Sequence, residues 1–461
     1  MGNPLLYSHV PKNTLLILLS FAFLPISAFI TVLYYLVTSR KNASQSEQER
    51  KTILVTGVSM TKGLTIARLL SRNTNHRIIG ADSESVSFTS PGRYSRSLEK
   101  FCILDEPDGD DAEPYIDSLL SIIKKEDVDL WISCSGVGNA VEDGKAAEMA
   151  QEVMGDGFRA IQFDSEAVQT LHEKDSFIEH VKSLGLTVPE SHRVVSRDEA
   201  LNVLRDVKDR KYILKPIGVD DQARNQMMTL LPLGNGKETA EYLSGLDITA
   251  EDPYLLQQYI NGKEYYTHSL IIEGNVRAFV ACSSSDLLMH YEALPGSTLT
   301  NKMLDFTKRV AEHGGQGFTG HLSFDFLVDD HENLYPIECN PRAHTAVVLF
   351  QEPEIAEAYL SDEKGIVTPC SPTSVYWIGH EIVTLLIAFA ESFQGGKDVK
   401  GDLQTFMQHV LYWRDGTFAT WDPVPFFALY HVYWPLRLLE SIVTGKAWSR
   451  ANVSTGKMFG C

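Results

Sequence analysis

Apolar and polar positions follow three different rhythms along this chain, and each predicts a different kind of structure. Near the N-terminus, Thr14 to Thr38 carries no charged residue and is rich in Leu, Ile, Phe and Val. At ~1.5 Å per residue, a helix of that length crosses a ~30 Å hydrocarbon layer, so the segment reads as a transmembrane helix. A cleaved signal peptide is the rival, with Leu15 to Leu24 as its apolar stretch and Ile26-Ser27-Ala28 before a cut. Apolar residues continue through Val37, however, and a mature N-terminus would have to expose them. The polar, charged stretch from Lys41 to Lys51 reads as a linker.

From Lys51 short β-branched runs alternate with helical spacing. Ile53-Leu54-Val55-Thr56 ends at the Gly57 turn, Leu64 to Leu70 has helical periodicity, and Arg77-Ile78-Ile79-Gly80-Ala81-Asp82 reads as a second strand. A βαβ opening of this kind implies a parallel, doubly wound sheet. An amphipathic helix over Pro114 to Lys125, a strand over Val128 to Ser133 and an Ala-rich helix near Lys145 to Met154 continue it, with closure around Phe158 to Phe163. A third rhythm follows, with strands expected at Tyr212–Pro216, Tyr254–Tyr259, Tyr265–Glu273, Val276–Cys282, Gly320–Val328 and Leu334–Cys339. Helices followed by strands in series suggest a separate α+β region. The expected organisation is a transmembrane anchor (14–38), an α/β domain (51–165), an α+β domain (166–348) and a C-terminal extension (349–461). In that extension, Pro423 to Phe427 and Tyr430 to Pro435 are unusually aromatic, suited either to packing on the core or to a membrane interface.

Composition narrows the function. A chain of 461 residues, 44% hydrophobic and 22% charged, is long and apolar enough for two or three folded units. Its formal net charge of −19, with no basic stripe, argues against a nucleic-acid partner. It does not exclude ATP, because a local site can be positive on a negative surface. Six scattered cysteines form no CxxC pair. His380-Glu381 begins like a zinc-protease helix, but Thr384 stands where the second His should be, so the pair reads as helix surface. Arg40, Lys41, Arg50 and Lys51 follow the apolar segment against Lys12 before it, a bias that places the catalytic part in the cytoplasm.

The strongest chemical signal is a hairpin pattern. Leu322-Ser323-Phe324-Asp325-Phe326 and Tyr335-Pro336-Ile337-Glu338-Cys339-Asn340-Pro341-Arg342 flank a turn at Asp329 to Asn333. Strand alternation lets Asp325, Glu338 and Asn340 share one face. Three hard oxygen donors suit Mg²⁺, with Mn²⁺ as a substitute, and leave positions for water and phosphate. Arg342 stands ready to hold developing negative charge.

This E-x-N-P-R string resembles the metal hairpin of the ATP-grasp superfamily. The resemblance extends upstream in the family's order and covers roughly Ile53 to Ala346. Lys174 and Lys215 resemble its two nucleotide lysines. The stretch Gln257-Gln258-Tyr259-Ile260 resembles its adenine hinge, with backbone near Gln258 to Ile260 bonding the base, and Glu264 its ribose-binding acid. Pro216 to Asn225, where the family has a Gly-rich phosphate lid, holds only Gly218, and Arg224 is the candidate to replace the missing backbone donors. Arg277 is a candidate contact for phosphate or carboxylate, while His321 and His344 are either substrate contacts or packed histidines. The resemblance implies a doubly wound pre-ATP-grasp domain, then a clamp of two α+β subdomains. It also implies an ATP- and Mg²⁺-dependent ligase that activates a small carboxylate as acyl phosphate for an amine, either of them an amino acid. The anchored, single-clamp layout is similar to ATP-grasp enzymes of fungal specialised-metabolite clusters of the fumisoquin type. A mycosporine-type enzyme, which phosphorylates an enol-like oxygen before an amine condenses, is the alternative within that family.

Two rivals come from other classes. An NAD(P)-dependent oxidoreductase would use Gly57 and Asp82, but Thr56 to Gly63 lacks G-x-G-x-x-G spacing, and Tyr259 with Lys263 matches Y-x-x-x-K inside the hinge. A non-catalytic membrane scaffold would not need the acids and lysines that are all present.

Overall fold

A computed structural model of the chain describes residues 9–38, 49–84, 88–107, 111–205, 207, 210–217, 229–234, 236–284, 289–361, 365–370, 373–392 and 399–460. The Gly-poor stretch Gly218 to Asn225, with Arg224, and most of the linker lie outside the described residues.

Strands β1 (Thr52–Thr56), β2 (Arg77–Ser83), β3 (Lys100–Leu104), β4 (Leu130–Ile132) and β5 (Arg159–Ile161) form an all-parallel sheet in the order β3-β2-β1-β4-β5. Helix α1 (His9–Val37) precedes it, and α2 (Thr61–Asn73), α3 (Glu113–Glu126) and α4 (Ala140–Met154) wind over it. Every position of Ile53-Leu54-Val55 is apolar because both faces of the sheet are covered. Ile53 and Val55 pack with Ile66 and Leu70 of α2, while Leu54 packs with Leu119 and Ile123 of α3 and Ala146 and Ala150 of α4. This is the doubly wound unit that the βαβ pattern predicts.

Two helices meet at Lys174. Helix α5 (Ser165–His172) is capped by Asp164, which accepts from Ala167 N at 2.7 Å. The chain turns extended at Glu173, and α6 (Lys174–Ser183) begins at Lys174 itself. A small antiparallel sheet β6-β8-β7 follows, from β6 (Ser191–Val194), β7 (Tyr212–Pro216) and β8 (Tyr254–Gln258). It packs against α7 (Arg197–Arg205) and α8 (Gly236–Ser244) through Ala200, Leu204, Leu214, Leu243 and Leu256.

The second antiparallel sheet contains β9 (Lys263–Ile272), β10 (Asn275–Ser283), β12 (Gly320–Val328) and β13 (Leu334–Asn340) in the order β10-β9-β12-β13. Glu273 and Gly274 both take positive φ, 50° and 71°, the conformation that a two-residue hairpin between β9 and β10 requires. One face of this sheet, with Leu322, Phe324, Phe326 and Cys339, packs on Phe306 and Val310 of α9 (Thr298–Gly314) and Phe177 of α6. The two small sheets with their helices form the two α+β halves of the expected clamp.

The C-terminal part continues the same body. Strand β11 (His290–Tyr291) pairs with β14 (Val375–Tyr376), which pairs with β15 (Arg414–Asp415). Helices α10 (Glu354–Leu360), α11 (Ile378–Ser392), α12 (Val399–Tyr412), α13 (Val424–Ala428) and α14 (Trp434–Thr444) follow, with one π turn over Leu429–Tyr433, and a hairpin of β16 (Trp448–Asn452) and β17 (Lys457–Gly460) ends the described chain. Asp422 ties this part to the parallel sheet domain. Its carboxylate accepts from Arg68 Nε at 2.8 Å, Ser95 Oγ at 2.6 Å and Arg96 N at 2.8 Å.

The aromatic stretches run antiparallel to α1 and also pack inward, with α13 against the Pro91–Tyr94 turn of the parallel sheet domain and Tyr430 Oη accepting from Gly379 N at 3.3 Å. Asn13 Nδ2 donates to Ser441 Oγ at 2.9 Å, Ser20 Oγ to the Tyr430 carbonyl at 2.8 Å and Thr38 Oγ1 to the Thr420 carbonyl at 3.0 Å. The two ends of α1 are also held. Lys12 Nζ donates to the Trp448 carbonyl at 2.7 Å, and Arg96 Nη1 donates to the Thr38 carbonyl at 2.8 Å. Between these contacts α1 exposes Leu18, Phe21, Ile26, Phe29, Leu36 and Val37.

Candidate nucleotide and metal site

Strand alternation sorts the β10-β9-β12-β13 sheet into an apolar face and a chemical one. Asp325 of β12 stands directly opposite Glu338 of β13 and opposite Tyr266 of β9. Ser323 stands opposite Asn340. Because opposite residues share a face, Asp325, Glu338, Asn340, Ser323, Tyr266, Glu264 and His268 all lie on the side away from Phe324 and Phe326. A β-bulge just after Asp325 breaks the register there, so the pairing of the two acids sits at a local kink.

The donor set fits a divalent cation. Two carboxylates and one amide oxygen stand side by side, Asn340 is 8% exposed, and both acids are half-buried. Tyr266 Oη and Ser323 Oγ on the same face are buried with no hydrogen-bond partner among the described residues, so this face offers polar groups for a ligand to satisfy. Mg²⁺ is therefore compatible with Asp325, Glu338 and Asn340.

The hinge is partly as expected. Gln257 and Gln258 end β8, and Tyr259 to Gly262 cross to β9. Gly262 is required there, since a Cβ would lie 2.3 Å from the Val328 carbonyl oxygen. Lys215 Nζ donates to Gln257 Oε1 at 2.8 Å, so these two candidates meet. The amides of Gln258 and Tyr259 do not face an adenine, because they donate to the carbonyls of Glu190 and Lys211, each at 2.7 Å. The sequence expectation that backbone at these two positions binds the base is therefore limited to their carbonyls and to Ile260. Glu264 is exposed at the rim, two residues along β9 from Tyr266. Lys174 opens α6, which packs against β13.

Arg277 is not brought to the metal hairpin. It is buried on β10 beside the bulge at Val276/Ala278, level with Ile271 of β9, whereas Asp325 is level with Tyr266. Five strand residues separate those levels, ~17 Å.

The most informative residue at the site carries no sequence signal. Lys62, in the first turn of α2, is 4% exposed and crosses from the parallel sheet domain to the hairpin. Its Nζ donates to the Ser135 carbonyl at 2.7 Å and to the Ala343 carbonyl at 3.0 Å, next to Arg342. Burial, followed by the nearby Arg342 charge, lowers its pKa to about 7. Three histidines join it. His268 stacks on His321 with ring centroids 5.4 Å apart, and His268 Nδ1 accepts from His344 N at 3.3 Å. Burial, then Arg342 and Lys62, push His344 down to about 3, and burial with Lys62 pushes His321 to about 3. The chamber therefore holds neutral imidazoles around the Arg342 guanidinium and a lysine that is cationic below about 7, an environment suited to an anionic acceptor substrate. His321 is also fixed by packing, with Nε2 2.8 Å from Tyr359 Oη.

The same region bears on the dinucleotide rival. The N-terminus of α2, where a pyrophosphate would bind in such a fold, is covered by the C-terminal hairpin: Thr61 N donates to the Ser454 carbonyl at 2.8 Å. Asp82 is engaged by Ser59 N at 2.7 Å instead of standing free for a ribose.

No family model matches the chain. It is 23% identical over 248 residues to the carbamoyl phosphate synthase large chain of Clostridium acetobutylicum, a match that takes in 52% of this chain and 22% of that protein. Among solved structures, the biotin carboxylase β-γ-ATP complex from Campylobacter jejuni is similar with a TM-score of 0.52 at 16% identity, covering 68% of this chain and 73% of that one. The L-amino acid ligase from Bacillus licheniformis is similar at 15% identity and a TM-score of 0.45, covering 68% and 70% of the two chains. The chain thus shares the mixed α/β fold of that biotin carboxylase over about two thirds of its length, and it carries one N-terminal helix long and apolar enough to cross a membrane.

Proposed function

We propose that this protein is an ADP-forming ligase that uses ATP to activate a small carboxylate for attack by an amine. The observation that carries the reading is the cross-strand pair of Asp325 and Glu338, with Asn340 beside it, on the same sheet face as His268, which contacts the Lys62–Arg342 chamber. Lys174, Lys215, Glu264 and the remaining hinge groups around Ile260 would hold the nucleotide. Mg²⁺ bound by the two acids and Asn340 would neutralise phosphate charge and leave coordination positions for phosphate oxygens. Arg342 and protonated Lys62 would orient the acceptor carboxylate against the γ-phosphorus. A carboxylate oxygen bonds to that phosphorus as ADP leaves. The amine then bonds to the acyl carbon, phosphate departs, and the product is an amide.

Amino acids are the substrate class this chamber suits best, since one molecule supplies both functional groups. Placement in a fungal specialised pathway of the fumisoquin type rests on the anchored, single-clamp layout. Helix α1 would attach the enzyme to a membrane, with the catalytic body in the cytoplasm, where ATP is supplied.

The deciding experiment offers single amino acids with ATP, Mg²⁺ and hydroxylamine in place of the amine. A hydroxamate formed together with ADP is expected. AMP and pyrophosphate would overturn the mechanism, and ADP without hydroxamate would shift the reading to phosphorylation of an enol-like oxygen.

Lys62 adds a pH signature. The free enzyme holds this base at about 7, so below that value it is a cation and above it neutral. Carboxylate binding favours the protonated form, so the KM for the carboxylate should rise as pH increases through about 7. In Lys62→Met that rise should disappear while the KM for ATP stays within about twofold. An identical pH profile in the variant would reduce Lys62 to a tie between domains.

A further inference from the structure

Three side chains that catalysis does not use converge behind β11. His290 belongs to that strand, Glu381 to the first turn of α11 and His409 to α12. Glu381 is 7% exposed and His409 8%, so the surface reading of His380-Glu381 is corrected for Glu381. The helix turns it inward, with its amide donating to the Trp377 carbonyl at 3.2 Å and the start of α11 held by Asp415, which accepts from Ile378 N at 2.9 Å. His290 Nε2 contacts Glu381 Oε1, and His409 Nδ1 lies 3.2 Å from the same oxygen. No two of the three ligand atoms are more than 4.8 Å apart.

A plain hydrogen-bonded triad accounts for only part of this. His409 Nδ1 is buried and makes no aligned hydrogen bond, despite its 3.2 Å approach to the carboxylate. Such a nitrogen is costly to leave unsatisfied, and it is the atom that a metal ion would use. The indole of Trp413 walls the group, with its ring 4.2 Å from that of His409 and 5.7 Å from that of His290. Burial raises the Glu381 carboxyl, and the two imidazoles more than reverse the effect, so it is held as an anion.

The geometry points to a binding site for one divalent transition-type ion, Zn²⁺ foremost, held by His290, Glu381 and His409. Two imidazoles and one carboxylate form a zinc donor set that keeps a fourth position, which water or His380, its ring 6.0 Å from His290, can fill. Ligand distances of ~2.0–2.2 Å place donor atoms about 3.3–3.5 Å apart, so the widest pair closes by little more than about 1 Å. The proton shared by His290 and Glu381 leaves as the ion enters. This site is distinct from the oxygen-rich hairpin, because nitrogen donors select zinc over magnesium. Its role is to position: Tyr291, the next residue, faces the other way and touches Tyr266 and His344 of the catalytic chamber, with ring centroids 5.6 and 5.9 Å apart. The ion would pin β11 to α11 and α12, and so fix that chamber wall.

The test uses the full chain in detergent, stripped with chelator and kept in excess Mg²⁺ to fill the hairpin site. Titration with Co²⁺ should give the visible absorption of a four-coordinate ion at one equivalent per chain, and elemental analysis should find one Zn²⁺ retained. Both should weaken at least tenfold in Glu381→Gln and His409→Gln. Zn²⁺ should also raise the thermal midpoint of the wild type and leave that of His409→Gln unmoved. Absence of the cobalt bands in the wild-type protein, or equal affinity in both variants, would overturn the proposal; the wild-type spectrum decides even where a variant misfolds.

Discussion

Glu338→Gln is expected to lower turnover on the order of 10²–10³-fold while changing the KM for ATP only a few-fold. The substitution keeps the volume and one carbonyl oxygen but removes a negative charge from the pair formed with Asp325. A cation held by one carboxylate in place of two binds less firmly and sits less precisely over the phosphates, and the loss is felt most where charge develops. Asp325→Asn should behave alike. The double variant should fall little further than either single change, since the two acids act as a unit. Asp330→Asn, on the exposed turn of the same hairpin, is the control and should leave turnover within about twofold. Steady-state rates at saturating Mg²⁺ measure this, and a rescue by raised Mn²⁺ would place the defect in metal binding. Full activity in Glu338→Gln would remove the metal from this hairpin.

Asp422→Ala should be the most destabilising single change outside the catalytic chamber, by ~3–5 kcal/mol. The carboxylate is fully buried and accepts from Arg68, Ser95 and the Arg96 amide, and Arg68 spends its other nitrogens on the carbonyls of Thr417 and Asp422. Removing the anion leaves a guanidinium that is 10% exposed with no counter-charge at that position. The thermal midpoint should drop by roughly 10 °C. A paired replacement, Arg68→Met with Asp422→Leu, should recover much of the loss, since burying neither charge avoids the desolvation cost of both. Ala at Arg50, whose partner Glu99 is near the surface, should leave the midpoint unchanged. An equally stable Asp422→Ala would mean that the C-terminal part is only loosely joined to the parallel sheet.

What the sequence made legible was whatever depends on local periodicity. The βαβ rhythm from Ile53 to Asp82 implies a parallel, doubly wound sheet, and strand alternation puts Asp325, Glu338 and Asn340 on one face. The E-x-N-P-R string belonged to the same category, since its spacing alone placed Glu338 and Asn340 together. What stayed hidden depends on long-range contact. Lys62 meets Ala343 across 281 positions of chain, and nothing near Thr61-Lys62-Gly63 announces that meeting. Glu381 meets His290 and His409 from three elements, so helical spacing to Thr384 says nothing of its partners. The hinge shows a related limit: its pattern fixes where the backbone passes near Gln258 to Ile260, whereas Glu190 and Lys211 decide what the amides of Gln258 and Tyr259 bond. Charge and strand alone single out Arg277, whereas the register of β10 on β9 sets it about five residues along the sheet from Asp325.

The two held ends of α1 bear on how the protein can meet a bilayer. From Lys12 to Thr38 the helix extends ~39 Å. Lys12 reaches Trp448, whose hairpin rests on Thr61 through Ser454, while Thr38 meets Arg96. Thr61 and Arg96 belong to one domain, so with these contacts kept, both ends stay in one aqueous compartment. A bilayer that took up α1 in this geometry would meet it along its flank, sunk ~5–10 Å at the headgroup boundary. Residence would then be decided by the composition and packing of a single leaflet, and membrane thickness, which sorts spanning helices among organelles, would have no purchase on it.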